Sequence, residues 1–239
     1  SSDMATKLLS RMAWDENPTH PHVEIYDPGE PQYDKPDSWS GLPTSNLPMD
    51  PPLYTIPEFE GDVEAKLLSC PDDCANAILS SIENADSSIL LSLQYLDLDW
   101  WHGWSNESNP WGDSLVVGAL QKAAERGVSI RLIINEYYVD ESPEVQQATN
   151  LLNEVWNHTY GYDTAAIMMS GGDGILKLHN KGMIVDSEMV LVGSMNWGSN
   201  SLLQNREYGI MLNHSDLAQY YTESWIEDWN RLDLWTDTD

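Results

Sequence analysis

The hydrophobic pattern of the chain changes character near Gly61. Beyond it, short apolar runs alternate with amphipathic stretches. Residues 63–69 read as a short strand and 74–84 as a helix, with Asp72 a candidate cap. The run at 88–96, SILLSLQYL, has the unbroken apolar character of a strand buried on both faces. Residues 113–127 form an amphipathic helix that stops at Gly127, where a left-handed cap is expected. A strand over 128–135 and a helix over 143–158 come next. This alternation predicts an α/β fold: a mixed, mainly parallel sheet flanked by helices. After the glycine-rich segment 171–174 the rhythm changes. Strands at 175–185 and 189–196 are joined by the tight turn Asp186-Ser187-Glu188, which makes a β-hairpin. A strand at 207–212 and a closing helix at 216–229 complete the pattern, and Met168 and Met169 read as core.

The first 59 residues behave differently. Ten of the 13 prolines fall there, and proline lacks the amide proton that helices and ladders require. The expected organisation is therefore an extended Pro-rich arm or linker over 1–59, with a short helix around 4–14, and a folded domain over 60–239. Tyr26, Tyr33, Trp39 and Tyr54 suit an arm laid on a partner or on its own domain; a plain linker is the alternative.

Composition narrows the picture. Across 239 residues, 39 acids against 11 bases leave a formal charge of −28. Such a surface repels nucleic-acid phosphates and anionic lipid at low ionic strength. Either high salt mutes that repulsion, or the substrate meets a locally basic pocket. Scarce lysine among abundant acids resembles proteins of salt-loving archaea. No apolar run is long enough to span a membrane, and the first residues lack the pattern of a signal peptide. Cys70 and Cys74 are spaced for a local disulfide, or equally for two buried thiols. Sequons at Asn106, Asn157 and Asn213 would be surface acceptors in a secreted chain. The compartment stays open, with an extracellular or cell-surface place in a high-salt organism one expectation.

The chemistry concentrates at Lys177-Leu178-His179-Asn180-Lys181. On a strand, Lys177, His179 and Lys181 share one face. The hairpin returns Ser194 and Asn196 alongside them. A nucleophile, cations and neutral donors in one place suit a phosphoryl group gaining charge in its transition state. The spacing His179-x-Lys181-x4-Asp186, followed by Gly193-Ser194-x-Asn196 and then Glu207, resembles the HKD signature of the phospholipase D superfamily. Closing Asp228-Trp229 adds a likeness to archaeal members, in particular to the C-terminal half of a protein with two such motifs.

The resemblance implies a phospholipase D-like sheet and a phosphodiesterase. His179 would attack phosphorus and form a phosphohistidine. Glu207 would accept from its second ring nitrogen, while Lys181, Asn196 and Ser194 would hold the nonbridging oxygens. Asp186 would be structural, and neither metal nor cofactor is called for. The family reaction uses two histidines, one as general acid, and this sequence carries one motif. Its mate would be an identical copy or a first half encoded elsewhere.

Around the motif, Gln94 and Tyr95, with Asn135, Glu136 and Tyr137, end neighbouring strands and are expected to shape the substrate pocket, as is Lys177. Arg206 adds a further base near the motif. Trp100, Trp101, Trp104 and Trp111 lie within twelve residues and suit a partner, a lipid interface, base stacking or the core. Phospholipid hydrolysis or phosphatidyl transfer is favoured slightly over a metal-independent nuclease, since a long charged track needs more cations than this site offers. A non-catalytic interaction module is the contrasting reading.

Overall fold

The computed structural model of the chain describes residues 4–6, 8–10, 58–59, 61–100, 113–136, 143–169 and 177–233. Residues 4–6 and 8–10 are helical; residues 11–57, Trp101, Trp104, Trp111, Tyr137 and the glycine-rich segment 171–174 lie outside the described residues. The chain divides into two compact units, Ser1–Glu58 and Phe59–Asp239. The second unit carries the sheet and the motif residues.

Seven strands are present among the described residues: β1 (Glu64–Cys70), β2 (Ser88–Leu93), β3 (Ser129–Asn135), β4 (Thr164–Met169), β5 (Gly182–Val185), β6 (Met189–Gly193) and β7 (Glu207–Asn213). They form one sheet in the order β1-β7-β6-β5-β2-β3-β4. Five helices accompany them: α1 (Cys74–Glu83), α2 (Leu115–Glu125), α3 (Pro143–Asn150), α4 (Ser199–Leu203) and α5 (Ser215–Asp233). A π-helix, Leu151–Thr159, continues α3.

The mixed sheet with flanking helices is as expected, but parallel pairing is confined to β2-β3-β4. The pairs β2-β5, β5-β6, β6-β7 and β1-β7 are antiparallel. The reason is connection length. Helical crossovers return the chain parallel, whereas the three residues 186–188 allow only a hairpin. Asp186 and Ser187 both take positive φ, 54° and 55°, as a tight right-twisted hairpin demands.

Alternation sorts each strand between two faces. Ile89, Leu91 and Leu93 of β2 face the larger core with α1, α2, α3 and the π-helix; Leu90 belongs to the smaller one. α5 closes that second face, where Trp225 packs with Ile133, Leu178 and Ile184 and its Nε1 donates to the Leu91 carbonyl at 3.1 Å. Burial on both faces explains why β2 and β3 read as continuous apolar runs. No helix among the described residues is long and apolar enough to cross a membrane.

Several boundaries move. α2 is capped by Ser114, whose Oγ accepts from Val117 N–H, and Gly127 takes φ +93° as expected. The cap position of α1 is Asp73, not Asp72, whose carboxylate is taken by Arg206 at 2.7 Å. The helix expected over 143–158 changes to π geometry at Leu151. There Asn153 reaches the edge of β4, donating to Ala166 O at 2.9 Å and accepting from its N–H at 2.7 Å. One carboxamide thus stands in for a strand and blocks that edge. Cys70 and Cys74 form a disulfide, both fully buried.

Asp186 ties the hairpin to the start of β2. Its carboxylate accepts from the N–H groups of Asp86, Ser87 and Ser88 at 2.8–2.9 Å and from Ser87 Oγ at 2.7 Å. Burial works against the charge, but these donors outweigh it and hold the carboxyl below its ordinary value. We expect Asp186→Ala to lower unfolding free energy in urea by about 1–2 kcal/mol, discounted for a site half open to water. With a depressed folded-state value, that stabilisation is complete above about pH 4 and fades as the pH falls further.

Candidate active site

All seven strands have a terminus at one end of the sheet. β1, β2, β3, β4 and β6 finish there at Cys70, Leu93, Asn135, Met169 and Gly193, while β5 and β7 begin there at Gly182 and Glu207. The strand expected over 175–185 is shorter than its pattern suggested. Residues 177–181 lie outside the ladder, joined to β6 only where Gly193 N–H donates to Lys181 O at 3.2 Å. Two anchors hold this segment. Leu178 sinks into the smaller core, and its N–H donates to Asn135 Oδ1 at 3.1 Å. Asn135 is fully buried, and its carboxamide oxygen holds the Leu178 amide.

With Leu178 pinned inward, His179 and Lys181 share the opposite side. His179 is exposed; Lys181 is only 5% exposed. A lysine so deep must have its ammonium satisfied. Nζ donates to Gln94 Oε1 at 3.0 Å and His179 O at 2.7 Å, and it lies 3.2 Å from His179 Nδ1. Burial pushes the ammonium down and the Glu207 carboxylate pulls it back. In turn, the charge of Lys181, then burial, then Lys177 hold the imidazole below its ordinary value. A histidine kept neutral at lower pH retains a lone pair for attack.

The loop after β6 carries Ser194 and Asn196 on either side of buried Met195. Gly193 and Gly209 face each other across β6 and β7, and Met195 fills the space their missing side chains leave. A Cβ on Gly193 would meet Met195 Sδ, and one on Gly209 would lie 2.7 Å from Met195 Cε. Ser194 Oγ donates to Glu207 Oε2 and accepts from Tyr208 N–H at 3.3 Å. The Glu207 carboxylate therefore engages Ser194. Asn196 Oδ1 is buried without a hydrogen-bond partner among the described residues. Tyr95 sits beside it: burial and Asp97 raise its hydroxyl, while Ser201 and Asn196 pull it back.

The structure thus brings together His179, Lys181, Ser194, Asn196, Glu207 and Tyr95, with exposed Lys177 near enough to act on the imidazole. Arg206 does not join them. Its guanidinium is spent on Asp72, Cys70 O at 2.9 Å and Ser69 Oγ at 3.1 Å. Gln94, expected only as pocket lining, is instead the acceptor that places Lys181. The Met195 knob was missed; two glycines at facing positions were its only signal. Among the described residues no group of histidine, cysteine or acid side chains is placed to hold a metal ion.

Residues 78–229 match the family model described as the PLD-like domain of cardiolipin synthase. The chain belongs to the PLD-like domain family. Phospholipase D of Rickettsia conorii is 25% identical over 173 residues, 72% of each chain. Nuc from Salmonella typhimurium, a phospholipase D family member, shares the fold with a TM-score of 0.53 at 21% identity, over 71% of this chain and 95% of that one. Phosphatidylserine synthase of Haemophilus influenzae superposes with a TM-score of 0.54 at 11% identity, over 73% of this chain and 40% of that one. His179, Lys181 and Asp186 lie inside the matched span.

Two outcomes are expected from this geometry. Followed by NMR, the His179 titration moves to higher pH in Lys177→Met and further in Lys181→Met, because each removes a positive charge that opposes protonation. Gly193→Ala forces Met195 out of its slot and lowers thermal stability by the equivalent of about 1–3 kcal/mol, measured by calorimetry.

Proposed function

We propose that this PLD-like chain is a phosphodiesterase working through a covalent phosphohistidine on His179. The observation that supports it most is the exposed, neutral-leaning imidazole with a buried ammonium 3.2 Å away, at the end of the sheet where Asn196 and Glu207 also gather. In the reading, the Nε2 lone pair of His179 bonds to phosphorus while the P–O bond to the leaving group breaks. The leaving oxygen takes a proton from a second histidine. Water then cleaves the N–P bond, giving the phosphomonoester and restoring the imidazole. Lys181 and Asn196 hold the nonbridging oxygens, and Glu207 supports the charge that builds on the ring.

The second histidine comes from another PLD-like unit, an identical copy or the other half of a longer protein. Both arrangements have support in chain length: this chain matches 95% of Nuc but 40% of the phosphatidylserine synthase. Phospholipid is the favoured substrate, hydrolysed or transferred. With Arg206 spent on Asp72, the lysines of one segment carry the positive charge at the site, enough for one phosphodiester rather than a long track. Single-stranded nucleic acid is the second reading, favoured by the fold shared with Nuc over nearly that whole chain. The buried disulfide is in keeping with an extracellular or cell-surface place.

The test is turnover of phosphatidylcholine and of single-stranded DNA, at low and high salt, by the assembled protein and by His179→Asn. We expect a drop of about a thousandfold or more in the variant, as for removal of a nucleophile, on phosphatidylcholine first. Loss on DNA alone makes it a nuclease. No activity on either substrate from a complete assembly would leave an interaction module. A strictly monomeric preparation with full activity would refute the shared site.

A further inference from the structure

Glu207 opens β7 between two neighbours. The strand order β1-β7-β6 and the register Cys70↔Glu207 put Cys70 directly across from it on one side. Ser194, whose Oγ donates to Glu207 Oε2, lies on the other. Directly opposed residues project to one face with Cβ atoms about 4.5–5.5 Å apart. The buried Cys70–Cys74 disulfide therefore stands beside the stem of the Glu207 side chain. β1 is an edge strand, and Arg206 ties down its end. From the position just before Glu207, one guanidinium nitrogen donates to Asp72 Oδ2 at 2.7 Å, Cys70 O at 2.9 Å and Ser69 Oγ at 3.1 Å. Arginine has donors and no acceptor, so the direction of each bond is fixed. All three acceptors belong to the turn 69–74, which also closes on itself. Ser69 N–H donates to Asp73 Oδ1 at 2.9 Å, Asp73 N–H donates to Ser69 O at 3.0 Å, and the disulfide bridges Cys70 to Cys74.

We infer that Arg206 and the Cys70–Cys74 disulfide form a latch that positions Glu207 against Ser194, so that groups outside the reacting set decide where the site's carboxylate stands. The importance of Glu207 to turnover rests on the phosphodiesterase reading; the latch itself rests on the contacts. Its reach is one residue. Binding Arg206 to the turn fixes the backbone from which β7 starts, and the disulfide fills the space on the β1 side into which the carboxylate would otherwise swing. Without the latch, the turn and the start of β7 lose their tie, and Glu207 turns away from Ser194 toward water. That movement is felt at Lys181, whose ammonium the Glu207 carboxylate supports against burial. The lost charge of Arg206 acts in the opposite sense, because removing a nearby cation makes an ammonium easier to keep. Arg206, Cys70 and Cys74 are thus positioning residues that act through Glu207.

The readout is the titration of Lys181, followed by 13C NMR on the full chain labelled in lysine and assigned by its loss in Lys181→Met. Glu207, Lys177 and the His179 ring are the titratable groups facing this ammonium. Arg206→Gln, and separately Cys70→Ala with Cys74→Ala, should each move the titration to lower pH, since burial then meets less opposition. In a Glu207→Gln background neither change should lower it. A titration unmoved or raised in Arg206→Gln leaves only the lost charge at work and overturns the latch. A downward shift that persists in Glu207→Gln marks general loosening and overturns it as well. If the cysteine pair fails to fold, Arg206→Gln carries the test, because that side chain is 28% exposed and outside the core. On substrate, kcat should fall about ten- to a hundredfold in Arg206→Gln, the scale of a misplaced group. KM should change little, and the alkaline limb of kcat should move to lower pH together with Lys181. The two readings fail separately. A phosphohistidine trapped from substrate, with Lys181 unmoved in Arg206→Gln, keeps the reaction and removes the latch. A lowered Lys181 titration with no phosphoenzyme from the assembled protein keeps the latch and removes the reaction.

Discussion

The seam between β2 and β5 is where the sheet changes from parallel to antiparallel, and the site depends on it. On one side β2 pairs with a strand delivered by a helical crossover; on the other it receives a hairpin. Asp186 closes the far end of that seam by collecting four donors from residues 86–88. With that end fixed, the register Gly182↔Ser92 is set, and Lys181 emerges beside Gln94. A slip of one residue would turn His179 and Lys181 to the face occupied by Leu178 and α5. The motif's aspartate and its lysine are thus two ends of one ladder.

Charge is distributed by a similar division of labour. Against a formal −28, the described arginines serve the fold: Arg131 pairs with Asp163, Arg206 with Asp72, Arg231 with Glu227, and Arg126 donates to the carbonyls of Ile82 and Ala85. Arginine suits this work because its planar fork bonds in several directions without losing charge. A buried lysine instead presents a point charge whose three donors can be reassigned. The acidic surface and the cationic site therefore do not conflict. The first is set by exposed carboxylates, the second by buried Lys181 with exposed Lys177 beside it.

Much of the fold was legible from periodicity because β2, β3 and α2 lie in the core, where burial enforces the pattern. The failures lie where tertiary contacts override it. β5 stops at Gly182 although apolar alternation continues back to Leu178, because Leu178 packs on Trp225 rather than in a ladder. Short α4 is too brief to carry a periodic signal, and the change to π geometry at Leu151 leaves no mark in the helix-like pattern of 143–158. At the site, His179, Lys181, Ser194, Asn196 and Glu207 were legible as a spaced motif. Gln94, Asn135 and Met195 were not legible in their roles, since each acts on a residue more than a dozen positions away or on a glycine gap that spacing does not reveal.

The sequence by itself determined the strand and helix alphabet, the hairpin and the identity of the reactive groups, because these come from local sterics, alternation and the chemistry of single side chains. Only the tertiary structure decided which groups are engaged with which. It gave Glu207 to Ser194, Arg206 to Asp72, Asn135 to the Leu178 amide and Lys181 to Gln94 and the His179 carbonyl. Hydrogen bonding is a competition among all partners within reach, and reach is settled only when strands distant in sequence are laid side by side.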